Sequence, residues 1–303
     1  MPEGDTIHRL AARLRPLFVG QTLVEVECEL AAVDDWKLQG REVARIEARG
    51  KNLLIHCAPL IAVEGKPDPR EPAQLPAAIW THLGMNGSWR LGPRDAALPS
   101  RRAAIVLRTA THLAACYEPK RLAVLGPRSL LRHPMLARLG PDLLDPEVDL
   151  GEAISRASPP APTVASLPSV HPSHPGDAVA RLIATRAELG DAIMRQSAVA
   201  GIGNVYKSEL LFLEGLSPFL QVEQLEPARL RALLERARKL MQANVAARGP
   251  RRTRGDSQAP RQRLWVYKRS GRACYVCGTI IEMRRQGELA RSTYYCPRCQ
   301  GLL

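Results

Sequence analysis

Four of the seven cysteines stand as two Cys-x-x-Cys pairs, Cys274/Cys277 and Cys296/Cys299, with eighteen residues between the pairs. Two such knuckles can gather four thiolates tetrahedrally around one zinc ion. A site with four sulfur ligands is closed, so its zinc is structural and has no open position for catalysis. Two disulfides are the other reading of the same spacing, and they belong to an oxidising compartment. The N-terminal run MPEGDTIHRL carries charges where a secretory leader needs an apolar core, which favours zinc. Cys28, Cys57 and Cys116 sit in apolar, strand-like sequence and read as small buried hydrophobes.

A second stretch with chemical potential is VAGIGNVYKSELLFLEGLSP, Val199–Pro218. Gly201 and Gly203 supply tight turns there, and Asn204 opens a helix. The N–H groups at such a helix start, with the Asn204 side chain, form a ready phosphate site. A plain corner between two helices would carry the same two glycines. Neither a dinucleotide-binding loop nor a P-loop spacing is present, so this is a helical turn and not a nucleotide cradle.

Elements must hold these residues in place, and 303 residues suffice for about two domains. Hydrophobic residues make up 45% and charged residues 24%, an ordinary globular composition, while aromatics at 4% make the core mostly aliphatic. No apolar run approaches the ~18 residues that cross a bilayer. Together these features predict a soluble, cytoplasmic protein. Its net charge of +13 is uneven: residues 227–303 hold 18 basic and four acidic side chains, and residues 1–226 hold 25 and 26. The whole excess lies in the last quarter of the chain. An exposed basic loop would read the same way over 248–263, but beside a metal module the excess points to a polyanion, and so to nucleic acid.

The pattern along the chain predicts a multi-domain α+β fold. Ile7, Leu10, Leu14 and Leu17 share one face of an N-terminal helix. Short β-like runs follow at Val24–Cys28, Leu53–His56, Ile79–Leu83, Ile105–Leu107 and Leu113–Tyr117, and their Gly/Pro/Asp punctuation predicts an antiparallel β-sandwich over residues 1–156. Residues 157–177 hold six prolines and read as a hinge or linker. Residues 178–263 turn helical, at Asp177–Thr185, Leu189–Gln196, Asn204–Glu214 and Pro227–Ala247. Residues 264–303 form the metal module.

Taken together, Pro2-Glu3-Gly4, GKNLLI at Gly50–Ile55, HLGMNG at His82–Gly87, GIGNVYKSE at Gly201–Glu209 and the ending RSTYYCPRCQ after the first CxxC resemble the bacterial formamidopyrimidine-DNA glycosylase/endonuclease VIII family. The resemblance spans nearly the whole chain in order. It implies base-excision repair enzymes with an N-terminal β-sandwich, a helix-two-turn-helix domain and a C-terminal zinc-finger β-hairpin. They act on damaged bases and abasic sites in double-stranded DNA. It also implies a monomer, and no coiled-coil pattern contradicts that.

The chemistry is legible in the residues that carry the likeness. With Met1 removed, Pro2 presents a secondary α-amine, and an α-amine pKa near ~7.7–8.0 leaves a nucleophilic fraction at neutral pH. The positive end of a helix starting near Thr6 lowers that pKa further. Attack on C1′ of a damaged nucleotide gives an imine whose C2′ proton is acidic, so the strand is cut by β- or β,δ-elimination. Glu3 is suited to protonate the sugar oxygen and then shuttle protons. By resemblance, Lys51 contacts the phosphate flanking the lesion and assists catalysis, and Asn204 clamps a phosphate. Arg291 on the zinc hairpin grips phosphates, where a guanidinium suits the bidentate role. Met85 fills the gap left by the flipped base, or is simply a core methionine.

The sequence departs from the family pattern in three places. Thr6 stands where a second glutamate is common, and Asp5 beside it could serve as the N-cap of the first helix. The intercalating Arg-Arg-Phe run of formamidopyrimidine-DNA glycosylases is matched by Lys120-Arg121-Leu122. The long segment that covers a flipped oxidised purine is missing between Gly249 and Trp265. The last two features, with Gly4 and Ser88-Trp89-Arg90, resemble the endonuclease VIII branch, which implies oxidised pyrimidines as the favoured lesions. Oxidised purines with the same chemistry, or a zinc-dependent damage binder without turnover, are the alternatives.

Overall fold

The computed structural model describes residues 2–28, 35–60, 68, 70–99, 102–148, 150, 178–247, 249–255 and 262–302. The expected proline-rich linker, 157–177, lies outside the described residues. The chain divides into two compact units, Met1–Ala137 and Arg138–Leu303.

Among the described residues of the first unit, helix α1 (Gly4–Phe18) precedes eight strands: β1 (Glu25–Cys28), β2 (Val43–Arg49), β3 (Asn52–Cys57), β4 (Ala77–His82), β5 (Ser88–Pro93), β6 (Ile105–Arg108), β7 (His112–Tyr117) and β8 (Arg121–Leu125). They form two four-stranded sheets in the orders β1-β6-β7-β5 and β2-β3-β4-β8, with every pairing antiparallel. Alternate residues of both sheets meet in one core, Ile105, Leu107, Ala114 and Cys116 from the first and Leu53, Ile55, Ala77 and Ile79 from the second. The apolar stripe Ile7, Leu10, Leu14 and Phe18 of α1 joins the same core, as a 3.6-residue period requires. The sandwich expected from the sequence is therefore present. The periodicity missed β2, β5 and β8: β2 (VARIEAR) is charged at alternate positions, and β5 carries Gly92 and Pro93. Two short helices, α2 (Pro127–Arg132) and α3 (Pro134–Ala137), end the unit.

The second unit packs α4 (Ala178–Ile183), α5 (Leu189–Ala192), α6 (Asn204–Leu213) and α7 (Pro227–Ala246) around Leu182, Ile193, Tyr206, Leu210, Leu233 and Met241. Leu143 and Leu144 belong to this core, so the segment after Ala137 packs with the helices and not with the sandwich. The zinc module adds strands β9 (Glu282–Gln286) and β10 (Arg291–Tyr295), an antiparallel hairpin in which Gln286 faces Arg291. Its small core of Val266, Ile281 and Cys296 closes on Phe212 of α6. No helix among the described residues is long and apolar enough to cross a membrane.

Candidate active site

Pro2 directly precedes the N-cap of α1, which is Glu3. Asp5 is therefore inside the first turn and not the cap. The Glu3 carbonyl accepts the Thr6 and Ile7 N–H groups at 3.0 and 3.3 Å. The Glu3 N–H donates back to Thr6 Oγ1 at 3.4 Å, while the Thr6 N–H donates to Asp5 Oδ1 at 2.7 Å. Thr6 thus ties down the backbone of Glu3, and the Glu3 side chain is fully buried at the positive end of the helix. The helix begins at Gly4, two residues nearer to Pro2 than the sequence suggests, so its dipole bears more closely on the proline nitrogen.

Two bonds fix how α1 runs. The Gly20 N–H donates to the Val43 carbonyl and Arg15 Nε donates to the Ile46 carbonyl, each at 2.9 Å, so α1 runs antiparallel to β2. From Arg15 back to Glu3 the helix covers about 18 Å, and from Ile46 on to Lys51 the strand covers about 16 Å. Pro2, Glu3 and Lys51 accordingly lie towards the same end of the sandwich. Lys51 sits in the two-residue turn Gly50-Lys51 between β2 and β3, where Gly50 has φ 57°, a conformation suited to the first central position of a tight hairpin turn.

The register across this sheet puts Arg49, Asn52, His82 and Arg121 in one row, at the same end. Beyond the row run two of the connections between the sheets, 83–87 and 118–120. Gly84 lets them touch, since a Cβ there would lie 2.7 Å from Lys120 Cβ. Met85 projects from the first connection and is 67% exposed, so it is not a core residue. His82 lies within the HLGMNG motif, and its sequence position alone carries no signal of a role. Its Nδ1 accepts the Gly84 N–H at 3.2 Å, which leaves the ring proton on Nε2. Burial and the charges of Lys51, Lys120 and Arg121 push its pKa down. The result is a neutral N–H donor among three cations, a suitable surface for an anion.

In the second unit, Asn204 opens α6 as expected, but its amide donor is committed. Nδ2 donates to the Ser292 carbonyl at 2.7 Å, in strand β10 next to Arg291. This brings Asn204 and Arg291 together. Arg291 Nε and Asn204 Oδ1 are buried without a hydrogen-bond partner among the described residues. Lys207 Nζ donates to Thr293 Oγ1 at 2.6 Å, and Thr293 donates to Gln286 Oε1 at 2.8 Å. Gln286 Nε2 then donates to Glu188 Oε2 at 2.9 Å and to the Pro218 carbonyl at 2.7 Å. Glu209, fully buried, accepts the N–H groups of Trp265, Val266 and Tyr267 at 2.7–2.9 Å, together with the Thr253 hydroxyl. Burial pushes the Glu209 pKa up, and those hydrogen bonds oppose the rise. Its signal in the sequence is an acid inside a helix that is otherwise buried all round.

The four expected cysteines converge. Their sulfurs lie within 4.8 Å of one another, with Cys274–Cys299 at 3.9 Å and Cys277–Cys296 at 3.4 Å. A zinc tetrahedron with bonds of about 2.3 Å has sulfur–sulfur edges of about 3.8 Å, whereas a disulfide needs about 2.05 Å. The Val276 and Cys299 N–H groups point at Cys274 and Cys296 sulfur, as in metal-binding knuckles. The donor set fits zinc and not two disulfides.

A relative named "Probable endonuclease 8 2", from Streptomyces coelicolor, is 35% identical, over 99% of this chain and 94% of its own length. The chain belongs to the formamidopyrimidine-DNA glycosylase/endonuclease VIII family. The formamidopyrimidine-DNA glycosylase N-terminal domain matches residues 1–131, the H2TH domain of the same enzymes 167–254, and the zinc finger found in FPG and IleRS 271–301. "DNA-(apurinic or apyrimidinic site) lyase Nei2" of Mycolicibacterium smegmatis is 34% identical over 99% of both chains. "Endonuclease 8" of Salmonella typhi is 27% identical over 99% of this chain and all of its own. The fold is that of a MutM solved with DNA containing carbocyclic 8-oxo-G, with a TM-score of 0.72, 19% identity and 99% of each chain covered.

Against the family pattern, Leu122 packs on the sandwich core, so the Lys120-Arg121-Leu122 stretch presents its two cations and no apolar wedge. The segment before the zinc module is pinned near its ends: Asn244 holds Arg252 through N–H and carbonyl at 2.8 Å, and the Arg263 carbonyl accepts the Thr253 N–H at 3.0 Å.

Proposed function

We propose that this chain is a bifunctional DNA glycosylase and abasic-site lyase of base-excision repair. It acts as a monomer on damaged duplex DNA in the cytoplasm and favours oxidised pyrimidines. The observation that carries the reading is the placement of Pro2 and the buried Glu3 at the positive end of α1, at the same end of the sandwich as Lys51, His82 and Met85. Full-length relatives named endonuclease 8 and DNA-(apurinic or apyrimidinic site) lyase support it.

In this reading the Pro2 nitrogen, free once Met1 is removed, donates its lone pair to C1′ of the damaged nucleotide. The C1′–N glycosidic bond breaks, the base leaves with the bonding pair, and the proton carried by the attacking nitrogen passes to the base, which restores the nitrogen's lone pair. Glu3 gives its proton to O4′ as the ring opens, and the nitrogen lone pair completes a cationic iminium. That cation acidifies C2′–H. Removal of the proton sends its electron pair into a C2′–C3′ double bond and expels the 3′ phosphate; a second elimination expels the 5′ phosphate. Lys51, His82, Lys120 and Arg121 face the phosphates beside the lesion, and Met85 enters the stack. Arg291 Nε and the N–H groups at the start of α6 hold the backbone. One zinc ion on Cys274, Cys277, Cys296 and Cys299 serves as a structural cross-link and takes no part in the reaction.

Borohydride trapping tests the proposal, because the reagent reduces the iminium to a permanent protein–DNA bond. A trapped complex is expected on a duplex carrying an abasic site or dihydrouracil, and none when residues are added ahead of Pro2. Stronger trapping on 8-oxoguanine opposite cytosine would move the specificity to purines. No complex on any substrate, with Pro2 shown free by mass spectrometry, would leave a binding protein without turnover.

A further inference from the structure

The geometry points to Asn52 and Trp80 as positioning residues that hold the Lys51 turn; this rests on the reading of Lys51 given above. Asn52 ends the two-residue turn and faces Arg49 across it. It is 2% exposed, and both halves of its amide are used. Nδ2 donates to the Arg49 carbonyl at 3.0 Å, closing the turn from the side-chain direction. Oδ1 accepts the Trp80 indole N–H at 3.0 Å from the neighbouring strand.

Each anchor is itself held. The Trp80 ring packs on His133 at 4.3 Å between centroids, and Arg49 is forked onto Glu47 Oε1 through Nε at 3.0 Å and Nη2 at 2.7 Å. Asparagine is disfavoured in strands, and burying an amide is costly unless all of it is bonded. On the same face of β3, the next position is a leucine, Leu54, buried without any such arrangement. A residue serving only the sheet would be apolar here too. What Asn52 adds is a fixed turn, and a lysine ammonium on a flexible four-carbon stem can be aimed only if its backbone is fixed. The same row continues to His82, which faces Asn52 across the sheet, so the clamp and His82 stand at one end of it.

Single-turnover cleavage of an abasic duplex, with enzyme in excess, tests this in Asn52→Ala, Trp80→Phe, Lys51→Ala and the double variant Asn52→Ala/Lys51→Ala. Asn52→Ala and Trp80→Phe should each slow the chemical step by about 5- to 20-fold, with duplex affinity changed by less than about twofold. Lys51→Ala should slow it at least as much, and Asn52→Ala should then add nothing in the double variant. If Asn52→Ala costs its full factor even without Lys51, or leaves the native rate intact, the clamp is refuted while Lys51 keeps its role. If Lys51→Ala reacts at the native rate, the Lys51 reading fails and the clamp falls with it. Trp80→Phe keeps the aromatic packing and Asn52→Ala keeps the indole, so a folding defect in one leaves the other to decide.

Discussion

Asn204 Nδ2 donates to the Ser292 carbonyl at 2.7 Å, which bonds the first residue of helix α6 to the strand position beside Arg291. The helix start and the zinc hairpin are thereby one surface within the second unit. A donor left there for a phosphate is the Arg291 guanidinium, whose Nε is buried and unpartnered among the described residues.

Arg291→Ala should weaken binding to a lesion duplex by about 10-fold and lower the slope of log K against log salt by about one charge. Titration by fluorescence anisotropy at several salt concentrations measures both. An unchanged slope would take Arg291 out of the interface.

Glu209→Ala removes the acceptor of three backbone N–H groups and a hydroxyl, all of them at the root of the zinc module. Unsatisfied buried donors cost about 1–3 kcal/mol each, so loss of stability by several kcal/mol is expected. Hydrogen exchange should quicken at Trp265–Tyr267 and leave β3 and β4 protected. Equal loosening of the sandwich would contradict the division into two units.

Chelating the metal should release the hairpin and, through the Lys207–Thr293–Gln286–Glu188 chain, loosen α5 and α6. The sandwich has its own core and should keep its melting transition. Calorimetry with and without a chelator distinguishes this from collapse of the whole chain.

Glu47 gives a pH prediction. Burial alone would raise its pKa, but the hydrogen bond from His56 and the charges of Arg49 and Arg45 hold it down at about 2. A carboxylate held below its unfolded value stabilises the fold above that value, and the contribution is lost as pH falls from about 4.5 to about 2. It is worth on the order of 3 kcal/mol. Glu47→Gln should therefore be less stable at pH 7 and show a smaller loss between pH 5 and pH 2.5 in urea melts. Parallel pH profiles for both proteins would refute the network.

Much of this was legible from sequence. The Cys-x-x-Cys pairs gave the metal site because its ligands come in local knuckles, whose geometry depends on a few residues. The apolar stripe of α1 and the runs at β3, β4 and β7 were readable because each buries its own periodic face. Helices α6 and α7 announced themselves by Gly203-Asn204 and by Pro227. Strand β2 was hidden because its outward positions Arg45, Glu47 and Arg49 are charged, and that makes sense only once His56 is opposite.

The sequence by itself determined which groups could do chemistry: an amine at Pro2, an acid at Glu3, four thiols, and a basic last quarter. The tertiary structure alone decided which of them meet. Lys51, His82 and Arg121 are far apart in the chain and become neighbours through strand register. Asn204 spends its donor on a carbonyl 88 residues away, and Glu209 collects donors from 56 to 58 residues ahead. Local propensity depends on a few neighbouring residues, whereas a hydrogen bond or a charge acts on whatever the packed chain brings within a few ångströms.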